Sequence, residues 1–581
     1  MNPKAANIYN LTQRQLAAGD IELAYGMGTS AIRQFPESAP LLQVTALAAF
    51  QMGHTQEAKE LCERAWALDP NNYILAYNYA TILLHLEQST DARQWLTKSL
   101  ALNPDYAPAH ANLGSVLIAF GELDDALKHL DRCIELGTNT TSEVLINRAS
   151  ALRDLGQIDE ALQGYRDAIA LNPESQIAHS NYLLCLNYSQ QNQANIKNEH
   201  AIWGASQSHS QPPLPLQKPD GKIKIGYVSP DFRRHSVAFF LESVLRNHNQ
   251  EKFEIVCVSN TQREDAITEN FRSLSDEWID VKNLNAKDAA AAVRSAGIHI
   301  LVDLAAHTAH NRLDIFAQRP APIQATWLGY PNTTGLPEMD FRIGDNFTDP
   351  TDFAEHYTEE LVHLPKTFIC FSPPEEYPSL DDSGQSLEHP TTFGSFNLLP
   401  KINEQVIAVW AQILHKVNDS QILLKSRQLG SQGAQERYIK LFEHHGIHSS
   451  RVILKSHVNS LMDHLNLYKQ VDIGLDPFPY HGTTTTCEAL LMGTPVLTLA
   501  GKRHSARVGA SLLGAVGMRD WVAQDTDDYI EKAVRFAENR EAFNRSKIRS
   551  QFLASPLCDT AGFTLDLESL FEDLVLKATQ A

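Results

Sequence analysis

The sequence lacks the patterns that mark several common protein classes. Its seven cysteines are scattered and include no C-x-x-C pair, so neither a disulfide framework nor a zinc site is indicated. No apolar run approaches the roughly 20 residues needed to span a bilayer. The first residues also lack the apolar core of a signal peptide. We therefore expect a cytoplasmic protein with no membrane contact.

An excess of basic residues is missing as well, because the formal net charge is −20 at pH 7. Nucleic-acid binding normally requires a basic face, so we expect no nucleic-acid partner. Hydrophobic content of 43% and charged content of 20% are ordinary for a globular protein. At 581 residues the chain is too long for one core, which indicates about two to four domains.

Residues 1–190 repeat with a period of 34 residues. Prolines occupy positions 36, 70 and 104, and small residues recur in the same register at positions 58, 92, 126 and 161. Gly53, Gly121 and Gly156 mark turns between paired helices, with Glu87 in the equivalent place. A helix-turn-helix period of this length is typical of tetratricopeptide repeats. We predict a repeat domain of about four to five such units over 1–190.

Asparagines form a second periodic series within these repeats, at Asn78, Asn112, Asn147 and Asn181. Each is predicted to lie on the first helix of its repeat, which lines the concave face of such arrays. A ladder of carboxamides can donate to and accept from a peptide backbone without reading its side chains. The series therefore indicates a groove for acceptor peptides, although asparagine can also recur for packing alone.

Residues 191–221 are predicted to form one connecting helix and then a linker rich in proline, serine and glutamine. From residue 222 short apolar runs alternate with amphipathic helices, which indicates parallel sheets covered by helices. Two sets of strands predict two Rossmann-like lobes, 222–390 and 391–581. The candidate strands are 223–228, 254–259, 299–304, 325–328, 392–396, 421–424, 452–454, 471–475 and 496–499. Facing lobes of this kind bind ligands at the carboxyl ends of their strands.

Residues 481–488, HGTTTTCE, form the most distinctive of the loops that follow strands. They lie between a predicted buried strand and a short helix, whose first N–H groups lack partners and carry partial positive charge. Threonine hydroxyls add donors, and Gly482 permits close backbone approach. Glu488 lies within the first two turns of that helix, from which we expect its carboxylate to reach the hydroxyls of a ribose. The stretch indicates the diphosphate seat of a sugar-nucleotide site, although a threonine-rich helix cap would look similar.

Several motifs together resemble those of the tetratricopeptide-containing protein O-glycosyltransferases, the O-linked N-acetylglucosamine transferase and SPINDLY family. They are IGYVSPDF at 225–232 with His235, RPAPIQ at 319–324, WLGYP at 327–331, GSFN at 394–397 with Lys401, and HGTTTTCE with GTP at 493–495. The resemblance covers nearly the whole chain, and the motifs are specific in combination and order. It implies a GT-B fold and inverting, metal-independent transfer of sugar to Ser or Thr hydroxyls, with no cofactor.

The resemblance also implies roles for individual residues. Lys401 matches the family lysine that neutralises the leaving diphosphate, assisted by Thr484 and Thr485. His235 matches a family histidine that serves as general base or as a positioning group. His464 matches the histidine that stacks on the nucleotide base.

Four other residues are placed by position alone. Gly482 and Asn397 belong to the motifs that surround the expected nucleotide site. His307 and Asn332 follow predicted strands and are expected to face the cleft, without an assigned role. Structural roles, as a surface or helix-capping side chain, compete for His235, Lys401 and His464.

The residues expected to bind the donor differ from those of the animal N-acetylglucosamine enzymes. Those enzymes carry Gln, Asp and His-Thr-Thr-Gly where this chain has Leu398, Glu488 and the run of four threonines. That run, and GYPNTTGLP at 329–337, resemble the SPINDLY branch, some members of which use GDP-fucose. We expect UDP-N-acetylglucosamine as first donor and GDP-fucose as the alternative.

Two hypotheses from other protein classes also deserve comparison with the sequence. One is a repeat scaffold with degenerate lobes, which the presence of His235, Lys401, Thr484, Thr485 and Glu488 opposes. The other is a small-molecule or lipid-linked glycosyltransferase, for which no amphipathic membrane segment is present. A nucleotide sugar and acceptor proteins are therefore the expected partners.

Overall fold

The computed structural model describes residues 2–210, 212, 214–216, 221–380 and 389–580. The chain divides into two compact units, the first comprising Met1–Leu152 with Ala170–Pro173 and the second Arg153–Ile169 with Glu174–Ala581. The predicted 1–190 repeat domain therefore ends inside the second unit, because the last helices pack with the two α/β lobes. Residues 211, 213 and 217–220 of the predicted linker, and 381–388 of the predicted 222–390 lobe, lie outside the described residues.

Antiparallel helix pairs build the first unit. Its helices are α1 (Pro3–Ala18), α2 (Ile21–Gln34), α3 (Ala39–Gln51), α4 (Thr55–Leu68), α5 (Tyr73–His85), α6 (Ser89–Leu102), α7 (Ala107–Phe120), α8 (Leu123–Leu136) and α9 (Ser142–Asp154). The turns within pairs take a positive φ at Gly53, Glu87 and Gly121, as the repeat register predicts. Ala58, Ala92 and Ala126 are fully buried in the hydrophobic clusters between neighbouring helices.

Three helices lead into the lobes: α10 (Ile158–Leu171), α11 (Gln176–Leu186) and α12 (Gln193–Gln207). The connecting helix predicted after residue 190 is present as α12. It extends through Gly204 and ends at Gln207. Gly204 packs against the backbone of Gly335, where an added Cβ would lie 1.8 Å from the Gly335 carbonyl oxygen. Glycine is needed here for close approach to the first lobe, and not for flexibility.

The first lobe is built on a parallel sheet with the order β3-β2-β1-β4-β5-β6-β7 among the described residues. Its elements are β1 (Ile223–Ser229), α13 (Ala238–Asn247), β2 (Phe253–Ser259), α14 (Ala266–Leu274), β3 (Glu277–Asp280), α15 (Ala286–Ser295), β4 (Ile300–Asp303), α16 (Leu313–Ala317), β5 (Ile323–Thr326), β6 (Phe341–Asp345) and β7 (Glu360–Leu364). The strand order reverses between β1 and β4, which places the loops after these strands at the ligand-binding edge.

The second lobe has a parallel sheet with the order β10-β9-β8-β11-β12-β13 in the part of the chain that the structure describes. Its elements are β8 (Thr391–Ser395), α17 (Glu404–Lys416), β9 (Ser420–Lys425), α18 (Gln432–His444), β10 (Val452–Lys455), α19 (Leu461–Leu467), β11 (Ile473–Leu475), α20 (Thr484–Leu491), β12 (Val496–Leu499), α21 (Val508–Ala515), β13 (Val522–Ala523), α22 (Thr526–Glu538), α23 (Arg545–Leu553) and α24 (Thr560–Gln580). Here the order reverses between β8 and β11.

The position of the last helix shows that the predicted bounds of the second lobe, 391–581, were wrong at the C-terminal end. Phe563, Leu567 and Phe571 of α24 are buried in the core of the first lobe, together with Ile225 and Tyr227 of β1. The apolar face of α24 thus covers the first sheet, and the chain returns to the lobe in which the α/β region began. Within the described residues, no helix is both long and apolar enough to cross a membrane.

Candidate active site

A cavity of about 440 Å³ opens where loops from the two sheets face each other in the second unit. Seven of the ten residues predicted for the cleft line it: His235, Asn397, Lys401, His464, Thr484, Thr485 and Glu488. His235 follows β1, Asn397 and Lys401 follow β8, and the threonines follow β11. The two reversals of strand order therefore bring the sequence motifs together.

The threonine-rich turn forms one wall of this cavity. Helix α20 begins at Thr484, and the side chain of the preceding Thr483 does not cap it. The first N–H groups of the helix therefore remain available to a ligand. Gly482 is buried behind the turn, where its N–H donates to Asp476 Oδ1 at 2.7 Å. A Cβ at this position would lie 2.3 Å from Thr485 Oγ1, so only glycine leaves the threonine hydroxyls in place.

Buried polar side chains hold the turn from behind. Asp476 Oδ2 accepts from Thr498 Oγ1 at 2.8 Å, and His481 Nδ1 lies 3.6 Å from the same oxygen. The Gly509 N–H donates to His481 Nδ1 at 3.0 Å, so the ring carries its proton on Nε2, which faces the Leu499 carbonyl at 2.9 Å. Burial lowers the pKa of His481, which agrees with a neutral ring. His481 is thus structural support for the turn.

Lys401 is anchored at the base of the cavity. Its ammonium donates to the His481 carbonyl at 2.6 Å and lies 4.1 Å from the centre of the Tyr480 ring. Burial lowers the pKa of Lys401 to about 8, against the opposing charge of Asp476. The lysine is therefore a partly desolvated cation beside the N-terminus of α20, where an anionic group would experience both charges.

A second polar group lies across the cavity. Glu488 accepts from His464 Nε2 at 2.9 Å and from the Tyr468 hydroxyl at 3.3 Å. The His464 ring also lies against Phe396, with ring centroids 5.8 Å apart. This arrangement offers a carboxylate for hydroxyl groups and a flat ring for a nucleobase. Asn397 Oδ1 accepts from Thr485 Oγ1 at 3.2 Å and links the β8 loop to the threonine-rich turn.

His235 enters the cavity from the first lobe. Its Nδ1 lies 3.3 Å from the Val237 nitrogen, which donates to it, and 3.5 Å from Asp231 Oδ2. Burial lowers the pKa of His235 more than the Asp231 carboxylate raises it, so the ring is neutral near pH 7. The contact with Val237 places the proton on Nε2, whereas a proton shared with Asp231 would leave Nε2 as an acceptor. Both predicted roles, base and positioning group, thus remain chemically accessible.

Two predicted cleft residues do not face the cleft. His307 is fully buried, with Nε2 2.8 Å from the Thr334 carbonyl and its ring against Trp203 of α12. Asn332 donates to Asn187 Oδ1 at 2.8 Å and accepts from Gln193 Nε2 at 2.8 Å. The prediction from loop position was wrong because the α11–α12 hairpin covers these loops. Both residues join that hairpin to the first lobe.

The asparagine ladder lies on α5, α7, α9 and α11, the first helices of successive repeats, as predicted. Asn78 is buried, whereas Asn112, Asn147 and Asn181 are half-buried. Asn112 donates weakly to Thr81 Oγ1 at 3.5 Å. Asn78, Asn112 and Asn147 belong to the first compact unit and Asn181 to the second. The structure therefore leaves a role in peptide binding as a prediction.

Comparison with known proteins identifies the family. The model of glycosyl transferase family 41 matches residues 186–383 and 385–567, and tetratricopeptide-repeat models match 49–98 and 105–174. The chain belongs to glycosyltransferase family 41. The predicted resemblance, and the predicted order of helical repeats followed by a two-sheet α/β region, are both confirmed.

Relatives in family 41 extend this finding. The probable UDP-N-acetylglucosamine–peptide N-acetylglucosaminyltransferase SPINDLY of Arabidopsis thaliana is 39% identical over 70% of this chain and 45% of its own length. The SPINDLY protein of Petunia hybrida, with the same descriptive name, is 37% identical with the same two coverages. The chain thus spans about half the length of these curated relatives. A mutant of the Thermobaculum terrenum O-GlcNAc transferase superposes with a TM-score of 0.81 at 30% identity, over 87% of this chain and 98% of that chain.

Three residues that line the cavity of this family 41 chain were not predicted from the sequence. They are Lys425 at the end of β9, Tyr480 beneath Lys401, and His504 before α21. Lys425 has one sequence signal, its place at the end of a predicted strand, whereas the other two had none. No cluster of three or more metal-ligating side chains occurs among the described residues.

Proposed function

We propose that the protein is an inverting, metal-independent protein O-glycosyltransferase that moves a sugar from a nucleotide donor to Ser or Thr hydroxyls of proteins. The observation that carries this proposal is the cavity that joins Lys401, the N-terminus of α20 and the His464–Glu488 pair. These groups match the three chemical parts of a nucleotide sugar, which are a diphosphate, a ribose and a base. Membership of family 41 and the printed names of the relatives support the same class of reaction.

The reaction needs charge stabilisation at the leaving group. The acceptor oxygen attacks the anomeric carbon as the bond from that carbon to the diphosphate oxygen breaks, and the nucleoside diphosphate leaves with the bonding electrons. The Lys401 ammonium, the first N–H groups of α20 and the hydroxyls of Thr484 and Thr485 would stabilise the developing negative charge. His235, on the opposite lobe, would contact the acceptor side and receive or orient its proton.

The choice of donor rests on the relatives and on the residues of the threonine-rich turn. UDP-N-acetylglucosamine is our first choice, in keeping with the names of the SPINDLY relatives and of the superposed bacterial enzyme. GDP-fucose is the second, because the four-threonine run and Leu398 depart from the animal N-acetylglucosamine enzymes. Acceptor proteins would dock through the repeats, where the half-buried carboxamides of Asn112 and Asn147 can bind an extended backbone.

Thermal unfolding with UDP, GDP and their sugar conjugates tests the donor. A ligand that binds only the native state raises stability by about 2.7 kcal/mol at a hundredfold excess over Kd. We expect a shift with UDP and UDP-N-acetylglucosamine. A shift confined to GDP and GDP-fucose would replace the donor, and no shift with any of them would favour a scaffold without activity.

Sugar transfer to a mixture of acceptor peptides tests the enzyme class. Removing a preorganised charge at a leaving group typically costs about 100-fold or more in rate, so Lys401→Ala should lose nearly all transfer while remaining folded. Lys416→Ala, an exposed lysine at the end of α17, serves as the control and should retain full activity. Full activity in Lys401→Ala would refute the assignment.

A further inference from the structure

The turn between α11 and α12, residues 187–192, reaches the base of the proposed active site. Tyr188 in this turn is buried, and its ring stacks on Tyr480 with centroids 5.0 Å apart and an interplanar angle of 21°. Tyr480 belongs to the loop between β11 and α20. A residue of the last helical hairpin thus contacts the loop that carries the threonine-rich turn.

The same tyrosine supports the proposed catalytic lysine. The Lys401 ammonium lies 4.1 Å from the centre of the Tyr480 ring, within the range of a cation–π contact. Tyr188, Tyr480 and Lys401 therefore form a continuous row, with one aromatic ring between the helical hairpin and the cation. The position of the Tyr480 ring fixes one of the two contacts that hold this ammonium, the other being the His481 carbonyl.

The turn that carries Tyr188 is itself fixed to both lobes. Arg503 of the second lobe donates to the carbonyls of Asn187, Ser189 and Gln191 at 3.1, 2.8 and 3.3 Å. The fully buried Asn187 donates to the Tyr330 hydroxyl of the first lobe at 3.0 Å. Arg503 is itself buried, so its guanidinium has a fixed position. Because three carbonyls of the turn bind this one guanidinium, the turn is held in one conformation.

We propose that the α11–α12 turn is a positioning element of the active site, in which Tyr188 holds the Tyr480 ring against the ammonium of Lys401. This proposal rests on the proposed function, since Lys401 must contact the diphosphate for its position to affect the donor. Tyr188 and Arg503 act through other residues and do not touch the substrate. The last helical hairpin is then part of the catalytic machinery, in addition to any role in acceptor docking.

Binding of the nucleoside diphosphate by the full chain tests the proposal without depending on transfer. Tyr188→Leu keeps an apolar side chain but removes the ring, whereas Tyr188→Phe keeps the stacking face. Tyr182→Leu is the matched control, because Tyr182 is an equally buried tyrosine of α11 whose hydroxyl contacts Arg166 instead. Unfolding temperatures are measured for each variant, and UDP and GDP are both titrated by calorimetry.

We expect Tyr188→Leu to weaken nucleotide binding roughly five- to thirtyfold, because the Tyr480 ring, no longer held by stacking, would lose its cation–π contact with Lys401. Tyr188→Phe and Tyr182→Leu should stay within about twofold of the wild type. The decisive comparison repeats Tyr188→Leu in a Lys401→Ala background. If Tyr188 acts through Lys401, the second substitution should add less than about twofold there.

An equal loss of nucleotide affinity in both backgrounds would show that Tyr188 supports the fold only. No loss of affinity in either background would show that the contact between Tyr188 and Tyr480 does not affect nucleotide binding. Either result overturns the positioning role while leaving the proposed function intact. A wild type that binds neither UDP nor GDP refutes the proposed function, and the positioning role with it. Where transfer is measurable, Tyr188→Leu should lower kcat more than it raises the acceptor KM.

Discussion

At the residue scale, the charge of Lys401 should control the response of the enzyme to pH. Burial lowers the pKa of this lysine to about 8, and Asp476 opposes that shift. The ammonium is present below the pKa and lost above it. We therefore expect kcat/KM for the donor to fall as pH rises through about 8, well below the ordinary lysine value near 10.4.

Lys401→Arg is the control for this pH dependence, because a guanidinium does not titrate in this range. The arginine variant should be slower at every pH, and its residual activity should lack the alkaline fall. A pH–rate profile that keeps the same alkaline fall would assign it to another group that faces the site.

Lys425 is the second cation in the cavity and has no carboxylate within ion-pairing distance among the described residues. Burial lowers its pKa, against the nearby charge of Glu488. An unpaired lysine beside the proposed base and ribose site should bind oxygen acceptors of the nucleotide. Lys425→Ala should raise the donor KM about tenfold, or ~1.4 kcal/mol, with kcat changed less than about threefold.

Lys455 offers a matched control, because it is the strand partner of Lys425 on β10 and is exposed outside the cavity. Lys455→Ala should leave the steady-state constants for the donor unchanged. Equal effects of the two substitutions would mean that only the overall charge of the lobe matters.

The site residues that could be predicted are those carried by local chain motifs. Lys401 lies in the loop after β8, and Thr484, Thr485 and Glu488 lie in the turn and helix after β11, so their motifs place them at the cavity. His307 and Asn332 follow strand ends too, yet helices α11 and α12 cover them. The residues of the α11–α12 hairpin that contact them lie more than a hundred positions away in the sequence, and no local pattern reports such contacts.

At the scale of elements, Gly204 and Gly335 decide how α12 packs on the first lobe. An added Cβ on Gly204 would lie 1.8 Å from the Gly335 carbonyl oxygen, which is backbone and cannot move aside. Gly204→Ala should therefore destabilise the protein by about 2 kcal/mol or more, as overpacking does. Thermal unfolding of the full chain would measure this as a lowered midpoint.

Gly26 in α2 is the matched control for this prediction. It is also a helical glycine, but an added Cβ there meets nothing within 4 Å. Gly26→Ala should stabilise by about 0.5–1 kcal/mol, since alanine favours the helix. Opposite signs for the two substitutions would establish steric packing as the cause, whereas equal signs would contradict it.

Helices, strands and turns could be predicted wherever the local sequence followed one clear periodic pattern. The repeat turns at Gly53, Glu87 and Gly121 follow from the 34-residue register, and even the non-glycine member takes a positive φ. Strand β3 (Glu277–Asp280) was missed because it is short, half-exposed and polar at both ends. Helix α24 has a clear apolar face, but only the tertiary structure reveals that this face covers the first sheet.

At the scale of the whole molecule, the second compact unit is held together by contacts between its two α/β lobes. Helix α24 crosses from the second lobe to the first, and a buried pair joins Asp349 with His504 at 2.8 Å. Ser511 of α21 donates to Asp345 Oδ2 at 2.6 Å in the same region. These contacts adjoin the cavity, since His504 lines it. The relative position of the lobes, and hence the width of the site, depends on them.

The Asp349 carboxylate should therefore govern stability in acid. Burial raises its pKa, but the charge and hydrogen bond of His504 outweigh burial and, with Arg342, hold the pKa below its ordinary value. Such a carboxylate contributes stability above its unfolded-state pKa of about 3.9, and this contribution is lost as pH falls through the lower folded-state value. Asp349→Asn should lower stability by about 3 kcal/mol near neutral pH.

The deficit of Asp349→Asn relative to the wild type should narrow as pH falls below about 4, because the unfolded wild-type chain then binds a proton at this carboxylate before the folded chain does. Urea unfolding of the full chain between about pH 3 and pH 7 would measure it. Asp352→Asn, an exposed carboxylate three residues away, should show no such pH-dependent difference. A deficit for Asp349→Asn that stays constant across the range would assign the effect to shape or hydrogen bonding, because only a charge term changes with protonation.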